Sequence, residues 1–144
     1  MLFYLEDPNE PILWHHKTYE QELNLIKEHM GPIIGICLGF EMIVHSFESH
    51  LHLSGSRVSG LVTIRSTKNS EVLLGQNNYT VYESHNWEAK KVSKPLLSLA
   101  SSDYGVELIK HELRPIYGLQ FHPEHPSDID GKKIFFQILS SVSS

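Results

Sequence analysis

Pro32-Ile33-Ile34-Gly35-Ile36 is a short, unbroken apolar run, the pattern of a strand buried on both faces of a parallel sheet. From Leu38 the apolar period lengthens to that of a helix. Ile43, Val44 and Phe47 pack, while Glu41, His45 and Glu48 lie on the other sides. A buried strand that turns directly into a helix commits the chain to an α/β arrangement.

The remaining segments fit around that unit. Thr18 suits an N-cap, with Gln21 as its capping-box partner. Tyr19, Leu23, Ile26 and Met30 then share one helix face, and Gly31-Pro32 stops the helix. PILWHHK, just before it, reads as a loop. The middle is richer in strands. GLVTIR, EVLL, YTVYES, LLSLASS and VELIKH are strand-like segments separated by Gly, Asn, Ser and Pro. PIYGLQF is a further strand ending in HPEHPSD. Asp128 to Leu139 reads as a final helix, with Ser127 as N-cap and Ile134, Phe135 and Ile138 on its apolar face. The chain of 144 residues is the right size for a single domain, residues 1–144, with a core of its own.

Cys37 is the only cysteine, so an internal disulfide is excluded. It is either a small buried hydrophobe or a reactive thiol. Its surroundings, Gly35-Ile36-Cys37-Leu38-Gly39, stand where strand becomes helix, the placement of a nucleophile elbow. The helix N-terminus stabilises negative charge on the sulfur. An unperturbed thiol, with a pKa of about 8.5, still needs a base at neutral pH. The candidate is His122, in Gly118-Leu119-Gln120-Phe121-His122-Pro123-Glu124, with Glu124 placed to orient the imidazole. The spacing of 85 residues between Cys37 and His122 does not by itself bring them together.

GICLG, a β-rich middle and then GLQFHPE resemble the class I glutamine amidotransferase family. The resemblance covers about residues 30 to 140. It implies a mostly parallel, flavodoxin-like sheet flanked by helices, with a β-rich insertion. It implies Cys37 as nucleophile, His122 as general base and acid, and Glu124 as the third member of a triad. Glutamine is then the substrate, a γ-glutamyl thioester the intermediate, and ammonia the product passed to a synthetase domain or subunit. Leu38 is implied as an oxyanion N–H donor next to the glycine elbow that includes Gly35. ESHNW is similar to the family's loop around the α-carboxylate of glutamine, which draws attention to Ser84 and His85.

Two features depart from the family pattern. Phe40-Glu41 stands where many members have a neutral Gln, and Gly-Phe-Glu is similar to γ-glutamyl hydrolases, which cut γ-linked peptides. The front is also short. MLFYLEDPNEPI occupies the place of a Gly-Gly-Pro-Gly loop, so the expectation is a chain without the usual N-terminal strand–helix–strand unit and glycine loop. A non-catalytic interaction domain is the third reading. The net charge of −5, without a basic run, speaks against nucleic acid as partner. The chain shows no apolar stretch of roughly 18 residues and no signal peptide, and its lone cysteine fits a reducing compartment. The expectation is a cytoplasmic protein off the membrane. The ten histidines include His15 with His16, His50 with His52, and His122 and His125 around Glu124. None has a metal-binding spacing, and no metal or cofactor is expected.

Overall fold

The computed structural model of the chain describes residues 2–5 (backbone only), 19–67, 72–73 and 75–143. The order is β1 (Leu2–Leu5), α1 (Glu20–Glu28), β2 (Ile33–Cys37), α2 (Leu38–Ser46), β3 (His52–Ser66), β4 (Asn78–Glu88), β5 (Leu96–Ser101), β6 (Val106–His111), β7 (Ile116–Leu119) and α3 (Gly131–Val142). The strands form one sheet in the order β1-β2-β7-β6-β5-β3-β4.

That sheet is mixed, which corrects the expectation of a mostly parallel one. Among the described residues, four of the six strand pairings are antiparallel, and β1-β2 and β2-β7 are parallel. The parallel part is the piece built around the apolar run. β5, β6 and β7 follow one another through short connections, and such connections force antiparallel neighbours. Sequence reading also missed β1, which pairs in parallel with β2 from Leu2↔Ile34 to Leu5↔Cys37. One strand and one helix therefore come before the strand that ends in Cys37. The proposed Thr18 cap, the PILWHHK loop and most of the segment compared with the glycine loop lie outside the described residues.

Alternation along β2 explains how the helices are placed. Ile34 and Ile36 join one apolar cluster with Leu119, Phe121 and, from α3, Ile134 and Ile138. Ile33 joins the opposite cluster with Leu23 and Ile26 of α1 and Phe40 and Ile43 of α2. Gly35 and Gly118 are register partners in β2 and β7, and both face α2. A Cβ on Gly35 would lie 2.6 Å from the Gly39 carbonyl group and 2.7 Å from Ile43 Cδ1. A Cβ on Gly118 would lie 2.8 Å from Ile109 Cγ1 and 3.2 Å from Phe40 Cδ2. The paired glycines let α2 lie against the strands, and α2 is accordingly buried from Leu38 to Val44.

Other boundaries shift for physical reasons. Val72 and Leu73 of EVLL lie in a turn rather than a strand, although both side chains are buried. Met30 lies beyond the end of α1 and is 78% exposed. The last helix starts at Gly131 rather than Asp128, and Ser127 is not its cap. The Asp128 carboxylate accepts the N–H groups of Gly131 and Lys132 at 3.2 and 3.0 Å, so the acid closes the helix end from outside it.

Gly35→Ala should destabilise the fold by about 1–3 kcal/mol or more, because backbone rather than a flexible side chain fills the space. Gly55→Ala, where nothing lies within 4 Å, should change stability by no more than about 0.5 kcal/mol. Urea unfolding midpoints of the two variants measure the contrast.

Candidate active site

Cys37 closes β2 and precedes the first residue of α2. Its backbone has φ 54° and ψ −101°, a conformation that costs a non-glycine residue about 1–3 kcal/mol. This is the strained turn expected of a nucleophile elbow. Leu38 is the first helical residue, so its N–H has no carbonyl partner within the helix. Gly35, grouped with the oxyanion and substrate residues from sequence, serves here as the point where α2 approaches the sheet. Cys37 itself is fully buried.

His122 comes from the loop after β7, at the same carboxyl edge of the sheet as Cys37. Its Nδ1 lies 3.0 Å from Glu124 Oε2, and the Glu124 side chain remains 43% exposed. Its Nε2 lies 3.3 Å from the Ser84 carbonyl oxygen, which Cys37 Sγ approaches at 3.6 Å. Sulfur and imidazole therefore share one neighbour, and a proton on either of them has that oxygen as acceptor. The structure brings together Cys37, His122, Glu124 and Ser84.

The Ser84 carbonyl reaches this edge although β4 is the outermost strand. β3 pairs with β5 only at Arg65 and Ser66, so the long β3-β4 hairpin leaves the sheet and returns over the ends of β2 and β7. The 122–130 segment then zips onto the outer edge of β4. The His122 N–H donates to Tyr82 O at 2.8 Å, and the Asp130 N–H to Thr80 O at 2.8 Å. The Thr80 N–H donates to Asp130 Oδ2 at 2.7 Å, and the Tyr82 N–H to Asp128 Oδ1 at 3.3 Å. The Tyr82 and His125 rings stack with centroids 3.5 Å apart.

ESHNW is thus part of a strand rather than a loop, and its residues alternate between faces. The Ser84 side chain takes one face, where its hydroxyl accepts Arg57 Nη2, and its carbonyl meets Cys37 and His122. Glu83 and His85 point into the core, both with fully buried side chains, and Glu83 Oε1 lies 2.6 Å from His85 Nε2. The other ring nitrogen, Nδ1, lies 2.8 Å from Trp87 O. Glu107 of β6 completes the group. It accepts the Ser102 hydroxyl at 2.7 Å, and its carboxyl is a hydrogen-bond neighbour of Glu83. Burial raises the Glu83 carboxyl to about 7. Burial and the adjacent Glu83 push Glu107 well above the usual carboxylate range. Glu83 Oε2 and Glu107 Oε2 have no donor in the structure, and one proton held between the two carboxyl groups satisfies both.

Glu41, expected away from the packing face of α2, is also buried, at 1% exposure, and accepts Gln120 Nε2 at 3.3 Å. Glu83, Glu107, Gln120 and Arg57, whose Nη2 donates to the Ser84 hydroxyl at 2.7 Å, were not singled out from sequence. The signal for Glu83 was present: Tyr79, Val81, Glu83 and His85 follow one two-residue period, so the acid shares a face with two apolar residues. The histidine groupings weighed as metal ligands do not appear as such, and His15 and His16 lie outside the described residues. Among the described residues, Glu83, His85 and Glu107 have ligand atoms within 4.8 Å of one another.

The family profile described as glutamine amidotransferase class-I matches residues 8–142. The chain belongs to the class-I glutamine amidotransferase family. It is 36% identical over 126 residues to the glutamine-hydrolyzing subunit of GMP synthase from Pyrococcus furiosus, covering 83% of this chain and 67% of that protein. It is 37% identical over 95 residues to the protein of the same name from Methanococcus maripaludis strain C6, covering 65% and 50%. The chain thus spans about half to two thirds of the length of these relatives. Among solved structures, a Thermoplasma acidophilum protein described as a GMP synthase subunit superposes with a TM-score of 0.84 at 26% identity, over 99% of this chain and 72% of that one. A Thermotoga maritima glutamine amidotransferase at 18% identity shares the fold, with a TM-score of 0.67 over 96% of this chain and 60% of that one.

The raised Glu83 carboxyl makes stability depend on pH. Between the ordinary Glu value of 4.5 and about 7, the folded chain holds a proton on Glu83 that the unfolded chain has released. Stability is therefore greatest below that window and falls as pH rises through it. Urea midpoints should decline from pH 5 to 8, and Glu83→Gln, which keeps a neutral group there, should flatten the decline. An unchanged slope in the variant would contradict the assignment.

Proposed function

We propose that this chain, as a single domain, hydrolyses glutamine to glutamate and ammonia through a thioester on Cys37 and delivers the ammonia to a synthetase partner. The observation that carries this reading is the convergence of Cys37 Sγ and His122 Nε2 on the Ser84 carbonyl, with Glu124 on the far nitrogen of the ring.

The chemistry follows from that arrangement. Cys37 thiolate attacks the side-chain carbonyl carbon of glutamine, and the Leu38 N–H faces the oxyanion. Such a donor is worth about a hundred- to a thousandfold in rate. The His122 imidazolium gives its proton to the departing nitrogen, so ammonia leaves and the thioester remains. His122 then takes a proton from water, the resulting hydroxide adds to the thioester, and glutamate departs as the thiolate re-forms. Glu124 holds the imidazole in orientation.

The names of the relatives point to GMP synthase as the assembly, with its synthetase component receiving the ammonia. A cytoplasmic location is part of the same proposal. No helix among the described residues is long and apolar enough to cross a membrane. Glu41, the residue behind the γ-linked peptide reading, has its buried carboxylate against Gln120, and nothing in its geometry favours that reading over glutamine.

The test is glutamate release measured with the chain assembled with the synthetase component of a GMP synthase. Cys37→Ala should abolish it. His122→Asn should lower it by about a hundredfold or more, as loss of a general base does. Hydrolysis that survives Cys37→Ala would overturn the reading.

A further inference from the structure

We infer that Glu107 is a positioning residue of this site, a buried carboxylic acid whose O–H bonds Glu83 and so holds the strand that carries the Ser84 carbonyl. The inference rests on the proposed hydrolysis, because it gives Glu107 a part in that reaction. The bonds that carry it stand on geometry.

Glu107 stands between the two arms of the site. Its main-chain carbonyl accepts the Gln120 N–H at 2.9 Å, two residues before His122. Its side chain meets Glu83, the residue before Ser84. β6 and β4 are not neighbours in the sheet, so this contact ties the returning hairpin to the central strands. The two chains meet again through the single bridge Ala89↔Val106, where the Val106 N–H donates to Ala89 O at 2.7 Å. That bridge fixes the chain just past the end of β4, and Glu107 fixes β4 itself beside Ser84. The carbonyl of Ser84 is the oxygen that Cys37 Sγ and His122 Nε2 share. One residue thus links the segment that leads to the imidazole with the strand that carries this acceptor.

The hydrogen bonds of the group run in one direction. Trp87 O only accepts, so His85 Nδ1 donates to it at 2.8 Å. His85 Nε2 and Glu83 Oε1 are 2.6 Å apart, with one proton between them. Ser102 Oγ accepts the Tyr104 N–H at 3.1 Å and donates to Glu107 Oε1 at 2.7 Å. Glu83 Oε2 and Glu107 Oε2 are left without a donor, and a second proton, carried by Glu107, supplies one. With those two protons the three side chains are neutral together. Without them two carboxylates would be buried as charges, at a large desolvation cost. Glu83 and His85 of β4 and Ser102, just after β5, are the groups that act on Glu107. Glu41 of α2 is turned to Gln120 instead.

Two substitutions test this in the chain assembled with the synthetase component of a GMP synthase. Glu107→Met keeps the length and has no proton to give, so Glu83 Oε2 stays unpaired. It should lower kcat for glutamate release by about tenfold while KM changes by less than about twofold, since reacting groups move and substrate contacts do not. Glu107→Gln offers an acceptor to Ser102 and a donor to Glu83, and should keep kcat within about twofold at pH 6.5. Burial and the adjacent Glu83 let Glu107 keep its proton above the usual carboxylate range. As pH rises further the acid loses that proton and the amide does not. The ratio of kcat in Glu107→Gln to kcat in the unaltered chain should therefore rise by about threefold or more between pH 6.5 and 9. Titration of Cys37 and His122 occurs in both chains and cancels in the ratio. An unchanged kcat in Glu107→Met would overturn the inference, and so would a flat ratio. If Glu107→Met does not fold, the ratio alone decides. An unaltered chain that releases no glutamate would overturn the proposed hydrolysis and the inference with it. An active one whose kcat ignores both substitutions would remove only the part given to Glu107.

Discussion

The close approach of α2 to β2 and β7 is the constraint on which the rest depends. Gly35 and Gly118 sit side by side in adjacent parallel strands and present no side chains to the helix. Any larger residue at position 35 would push against the main chain of Gly39. Only with the helix seated this low does the chain turn from strand to helix within a single residue. That residue is Cys37, and its positive φ is the geometric consequence. Burial of Phe40 and Ile43 in the cluster beneath offsets the strain of the turn. The position of Cys37 is thus fixed by packing on regular elements rather than by loop conformation.

The other half of the site depends on the edge of β4. An unpaired outer strand exposes a row of backbone donors and acceptors, and here the 122–130 segment covers it. That coverage has two effects. It hides the edge, and it brings His122 to the strand that carries Ser84. Asp128 serves both purposes, because its carboxylate accepts the Tyr82 N–H of β4 and the first N–H groups of α3. The helix cap, the strand edge and the imidazole are therefore held by one short stretch of chain.

Much of this was legible in the sequence, for definable reasons. The strand from Ile33, the turn at Cys37 and the following helix were marked by a change of apolar period within a few residues. Cys37, His122 and Glu124 could be paired because two motifs resembled one family, and the family assignment holds. Strand direction was less accessible, since parallel and antiparallel pairing depend on connections rather than on the composition of any strand. β1 lies in an acidic, proline-containing stretch whose four paired residues are too few to show a period. Glu41 and His85 were misplaced for a common reason. Polar residues in amphipathic segments are normally assigned to solvent, and only their partners, Gln120 and Glu83, explain their burial. Asp128 was assigned to the helix it caps because acids favour both the cap and the first turn.

The alternation along β4 joins stability to chemistry. Glu83 and His85 face the core with their hydrogen-bond network, while Ser84 between them presents its carbonyl to Cys37 and His122. A strand residue cannot move its carbonyl independently of its neighbours' side chains. The hydrogen bonds of His85 to Glu83 and Trp87 O therefore anchor the Ser84 carbonyl from behind, and Arg57 holds the serine from the front. A buried, partly protonated acid pair is a costly feature for a small fold. Its position directly behind the oxygen that Cys37 and His122 share gives that cost a physical role. A rigid acceptor between the thiol and the imidazole keeps both groups in register without contributing a titrating group of its own.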